Sequence, residues 1–110
     1  MNYQYEPIIS RLDGTLVNRK INIDIDNNIQ IYVLQLNFPI NIIQTGKLHE
    51  GEYNTTEHNI EEIQLAGVYH DKINQDILYQ NIEITGKLFH AHTAHHYTTI
   101  LIDVDSIIVK

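Results

Sequence analysis

The sequence predicts an all-β protein: a small OB-fold-like barrel of five strands, with one short helix between the third and fourth strands. Three observations predict it. Ile dominates a hydrophobic fraction of 43%, and side chains branched at Cβ pack well on a pleated sheet while losing freedom in a helix. Apolar residues alternate with polar ones through most of the chain, which is the period of a half-buried strand. The stretch with helical spacing falls late, with strands before and after it, which is the element order of an OB-fold barrel.

Taken in order, "EPIISRLDGTLV" has apolar anchors at Ile9, Leu12, Leu16 and Val17. It predicts a bent strand from Ile8 to Asn18, with Gly14 at the bend. "KINIDIDNN" alternates strictly, Ile21, Ile23 and Ile25 on one face and Asn22, Asp24 and Asp26 on the other, and a turn is expected at Asn27 and Asn28. "IQIYVLQLNF" resumes the pattern from Ile29, and Pro39 is expected to close that strand or mark an edge.

The polar run from Thr45 to Asn59 reads as a surface loop. "IEEIQLAGVY" gives a short strand with Ile63 and Leu65 facing one way. "HDKINQDILYQ" spaces Ile73, Ile77 and Leu78 as one short helix. "NIEITGKLFHAH" and "YTTILIDVDSIIV" complete the set. "LDGTLV" and "ITGKLF" share a Gly-X-Leu pattern, and glycine-bent strands suit a small barrel whose strands must curl.

At 110 residues the chain has the size of one domain, residues 1–110, able to bury a core without staples. Its formal charge of −7, with only seven Lys and Arg, argues against nucleic acid, whose binding rests on basic patches. It argues equally against anionic membrane surfaces and leaves a cationic protein or a metal ion as compatible partners. With no cysteine, disulfides, thiolate catalysis and cysteine-type zinc sites are excluded. No apolar run reaches signal-peptide or membrane-span length, so membrane insertion is not expected.

The chemically distinctive stretch is "FHAHTAHHY", Phe89 to Tyr97, which holds four of the seven histidines. His90 and His92 are two apart, so on an extended strand they project from one face. With His95 or His96 as a third ligand they are candidates for zinc, and no other cofactor is expected. The competing expectation is a hairpin connection over Thr93–His96, with at least one imidazole bonded to backbone and His95→Ala costing about 1 kcal/mol. Gly86 or its surroundings should then carry a bulge, with Phe89 buried and Ala91 closely packed.

"DIDNN", Asp24 to Asn28, imitates a calcium loop but has Ile29 and Gln35 where that loop needs Gly and Glu. Asp24 and Asp26 therefore read as the solvated face of a strand. "HNIEE", His58 to Glu62, is not a metalloprotease motif, and no nucleophile elbow or phosphate loop appears, so no catalytic residue is expected. Tyr32, Tyr69, Tyr79 and Tyr97 are candidate partner-binding residues, since OB-folds bind through aromatics on an exposed sheet face.

The segment "NIEITGKLFHAHTAHHYTTILIDVDSI" resembles the ending of a bacterial domain family of unknown function, numbered 4431, whose pattern is V-x-V-x-G-x-L-F-x-A-x-T-x-H-H-x-T-x-V-L-L-x-V. Ile82, Ile84, Gly86, Leu88, Phe89, Ala91, Thr93, His95, His96, Thr98, Ile100, Leu101, Ile102 and Val104 carry it here. "YEP", "LDGTL", "YVLQLNFPI" and "IEEIQL" agree as well. The resemblance implies a small exported protein, periplasmic or secreted, and supplies no catalytic residue. It also implies cysteines, one of them just after Pro39; Asn41 and its neighbours offer none, so any such disulfide is absent.

The expected function is non-catalytic binding of a protein partner in the bacterial cell envelope. A cationic toxin or hydrolase, met by an inhibitor or immunity-type protein, fits the acidic charge. The alternatives are a zinc module built on the histidines and an oligosaccharide-binding domain using the tyrosines.

Overall fold

The computed structural model describes residues 1–46, 52–67 and 73–110. The protein is all-β. Its strands are β1 (Asn2–Gln4), β2 (Ile9–Asn22), β3 (Asn28–Ile43), β4 (Glu57–Ala66), β5 (Asn81–His90) and β6 (Ile100–Val109). β2 pairs antiparallel with both β3 and β5, β5 with β6, and β3 with β4, while β4 and β6 run parallel. The ladder β2-β3-β4-β6-β5 thus returns to β2 as a five-membered ring, in the strand order of an OB-type barrel. β1 adds to β3 in parallel, Asn2 opposite Asn41, and was not expected from the sequence.

Closure depends on long strands that change partner. β2 pairs with β5 over Ile9–Thr15 and with β3 over Gly14–Asn22, so Gly14 sits where it serves both sides. A Cβ there would run into the carbonyl oxygen of Gln35, and one at Gly86 into that of Asp103. The two glycines of the Gly-X-Leu echo are therefore sites of close backbone approach. Next to Gly86 the β5–β6 register shifts: Thr85 faces Ser106 and Gly86 faces Val104, leaving Asp105 as the extra residue of a bulge.

The core follows the alternation. Leu12 and Leu16 from β2, Ile82, Ile84 and Leu88 from β5, and Ile63 and Leu65 from β4 are buried together with Leu34 and Ile102. Tyr5, before β2, is buried beside them; its hydroxyl donates to the Thr55 carbonyl at 2.5 Å, and burial pushes the phenol up to about 12.

Several expectations need correction. The first two expected strands are one, β2, because the ladder with β3 runs unbroken to the Asn22–Asn28 pair. Ile23 and Ile25 lie beyond it in the turn and are exposed. Asp24 is not on a strand face; its carboxylate accepts from the backbone N–H of Asp26 and Asn27 and from the Asn27 amide, closing the turn. Pro39 does not end β3 but lies where the β3–β4 register skips from Gln35 to Ile40, a break that tolerates a residue without an N–H. Among the described residues the expected helix reduces to one 3-10 turn, Gln75–Ile77, capped by the Asn74 side chain; residues 70–72 of that stretch lie outside the described residues. Phe89 is half-buried rather than buried, since alternation from Ile82 through Leu88 places it on the outer face.

Candidate functional site: the histidine-bearing end

The site is built on the outer face of the ring. Val33, Gln64, Leu101 and Phe89 are consecutive cross-strand partners on β3, β4, β6 and β5, so their side chains share one face. Val33, Gln64 and Leu101 are buried although they point away from the core. The connection between β5 and β6, residues 91–99, is fastened over this row.

Gln64 is the fastener. Its Nε2 donates to the His95 carbonyl at 3.2 Å, and its Oε1 accepts from the Tyr97 N–H at 2.7 Å. Its own N–H donates to Thr98 Oγ1, whose hydroxyl donates to the Ile100 carbonyl at 2.7 Å. A buried amide must satisfy its donors and acceptors, and here the connection's backbone does so.

The histidines separate into different surroundings. His90, the last residue of β5, directs Nδ1 at the Ala91 carbonyl (2.9 Å) and Nε2 at Glu57 Oε1 (3.1 Å), while its N–H donates to Asn54 Oδ1. His92 lies beyond the strand end and stacks on Tyr53, ring centroids 3.8 Å apart and planes 17° from parallel. His96 meets His92 edge-on at 4.6 Å and Phe89 at 5.5 Å. The His96 Nδ1 accepts the His92 backbone N–H at 3.0 Å, which requires that nitrogen to be unprotonated. Burial first, then the neighbouring His92 and His95, hold the His96 imidazole below the usual histidine range.

These positions bear on the zinc set. β5 ends at His90, so His90 and His92 do not share a strand face, and His95 is exposed with, among the described residues, only its main chain engaged. Among the described residues no three His, Asp or Glu side chains are grouped to hold a metal ion.

The tyrosine candidates are dispersed. The Tyr32 hydroxyl accepts from Gln75 Nε2 at 3.3 Å, tying β3 to the 3-10 turn. Tyr79 follows that turn with φ 65° and is exposed, its N–H donating to the Leu16 carbonyl. Tyr97 belongs to the histidine connection, and Tyr69 lies outside the described residues. Tyr53, not singled out from the sequence, is the tyrosine that meets a histidine ring among the described residues. Gln64 was missed as well. Neither has a local signal: Tyr53 and His92 are brought together only by the fold.

A groove of about 290 Å³ opens beside these rings, lined by Glu6, Tyr53, Ala66, Gly67, Phe89, His92 and Asp103. A larger cleft, about 510 Å³, lies where the β3–β4 ladder is interrupted, between Gln35–Pro39 and Asn59–Glu62. None of the candidate histidines or tyrosines among the described residues lines it.

Fold and site together define a small all-β protein with a ring-closed sheet and an aromatic–imidazole cluster on its outer face. Residues 62–108, from β4 through β6, match a family described as "Domain of unknown function (DUF4431)". That segment contains the whole histidine connection. Comparisons with curated proteins and with solved structures give no match.

Proposed function

We propose that the protein is a non-catalytic binding protein of the bacterial cell envelope that engages a cationic protein partner, in the manner of an inhibitor or immunity protein. The observation that carries this reading is the groove at the histidine-bearing end. It is an outward-facing set of rings flanked by the carboxylates of Glu6 and Asp103, on a chain of formal charge −7. Phe89 on β5, with the stacked Tyr53 and His92 rings beside it, supplies aromatic contact area of the kind binding hot spots use. The acidic surroundings steer a basic partner toward them. The envelope location rests on the family resemblance.

The test is capture from a bacterial envelope extract on the immobilised full chain, at low and at moderate salt. The expected result is a retained basic protein whose yield falls as salt rises, because screening shortens the reach of exposed charges. Retention of nothing at either salt contradicts the reading. A neutral oligosaccharide, bound without salt dependence, would replace it with the sugar-binding alternative.

A further inference from the structure

We infer that the groove is a seat for one arginine side chain of the partner, lying against the Tyr53, Phe89 and His92 rings with Glu6 and Asp103 as its carboxylate acceptors. This rests on the partner-binding reading above and narrows it to one side chain.

Three rings line the groove, and the Tyr53–His92 stack leaves one face of each ring unstacked by the other. Tyr53 and His92 are stacked nearly parallel, and Phe89 stands at 58° to His92 with centroids 5.9 Å apart. A guanidinium is planar, stacks on aromatic faces and is more weakly hydrated than an ammonium, so it suits such rings better than lysine does. Its fork of N–H donors matches carboxylates.

The two carboxylates come from separate parts of the chain. Glu6 is held by its N–H, which donates to the Leu88 carbonyl at 2.8 Å, and Asp103 lies on β6 opposite Ala66 and Lys87. Neither side chain has an ion pair or hydrogen bond among the described residues. Glu57, Glu62 and Glu83, by contrast, are each paired with a cation or a histidine.

Gly67 keeps Asp103 at the groove. Its φ is +88°, and a Cβ there would run into Asp103 Oδ1. Lys87 shares the face of Asp103 as its cross-strand partner without bonding to it, so it opposes an incoming cation without neutralising the site.

The experiment is an NMR titration of the full chain with N-acetyl-arginine methylamide, with the lysine and the uncharged citrulline counterparts as controls. Probes of this size bind on the order of millimolar at best, so each is carried to about 50 mM. The arginine probe is expected to shift the amides of Tyr53, Phe89, His92 and Asp103 saturably, more tightly than lysine, while citrulline leaves them in place. Asp103→Asn and Glu6→Gln, both exposed and outside the core, should each weaken arginine binding about tenfold, and Lys87→Gln should tighten it. Equal binding of citrulline, tighter binding of lysine, or no shift at these amides overturns the proposal.

The capture experiment keeps the two readings apart. A partner held equally by wild type and by Asp103→Asn/Glu6→Gln overturns the arginine seat and leaves partner binding standing. Saturable arginine binding with no partner captured supports the seat and overturns the envelope-partner reading alone.

Discussion

The turn at Ile23–Asn27 and the connection at residues 91–99 both join antiparallel strands, yet they are held in opposite ways. The first is self-contained: the Ile23 and Asp24 N–H groups donate to the Asn27 carbonyl, and the Asp24 carboxylate caps the turn from within. Among the described residues nothing covers it, and Ile25 is 99% exposed. The second is fastened from outside, by Gln64 on β4, by Asn54 and Glu57 at the strand end, and by the Tyr53 ring. Its residues bond to one another, Ala91 N–H to the Thr99 carbonyl and His92 N–H to His96 Nδ1, but unlike the turn they are also tied to partners more than thirty positions away. A connection secured in this way can present several rings in fixed relation, which the free turn cannot.

The comparison breaks most visibly at Gln64. Gln64→Ala strands the half-buried Tyr97 N–H and removes the partner of the His95 carbonyl. The expected loss is about 2–3 kcal/mol, read from urea unfolding, because an unsatisfied buried group costs its full desolvation. The Tyr53 and His92 resonances should move in the same variant. A loss under about 0.5 kcal/mol would show that the connection holds itself, as the Ile23–Asn27 turn does.

Acid should loosen the connection next. The folded state holds His96 below its ordinary value of 6.5, so between the two values the unfolded chain binds more protons. The associated stability is fully present above the ordinary value and is lost as pH falls through it toward the depressed one. Urea midpoints should therefore drop between about pH 7.5 and about pH 5, and His96→Gln should flatten that slope. An unchanged slope would contradict the imidazole's role as acceptor for the His92 N–H.

Asp24→Ala should have a smaller effect, lowering the melting temperature slightly while leaving the resonances of the histidine connection unchanged. Movement at both ends of the molecule would show that the two connections are coupled. The smallest effect is expected at His95, whose exposed ring has no bond among the described residues: His95→Ala should change stability by less than about 0.5 kcal/mol, with or without zinc. The sequence-based expectation of about 1 kcal/mol placed on the ring a bond that the main chain makes.

The same contrast explains what was legible in advance. Leu12, Leu16, Ile82, Ile84 and Leu88 announce their strands because burial on one face imposes period two, and Gly14 and Gly86 mark the close approaches. The alternation of Ile21, Ile23 and Ile25 misled, because strand periodicity says nothing about where pairing stops. Asp24, a residue suited to turns, held that information. The helix shrank to a 3-10 turn among the described residues because three apolar positions fit either structure. The histidines were conspicuous, but their partners Tyr53, Glu57 and Gln64 are assembled by the β4–β6 and β3–β4 registers. Spacing within "FHAHTAHHY" cannot report on those.

The central claim, that the histidine-bearing end is the face that meets a protein partner, is tested most directly by site-specific photo-cross-linking. A benzophenone amino acid is placed at Tyr53 in one variant and at Ile25 in another, and each is irradiated in bacterial envelope fractions. The account predicts a discrete adduct of higher mass from position 53, suppressed by Asp103→Asn/Glu6→Gln, and none from position 25. Adducts from position 25 alone, or no adduct from position 53, would contradict it.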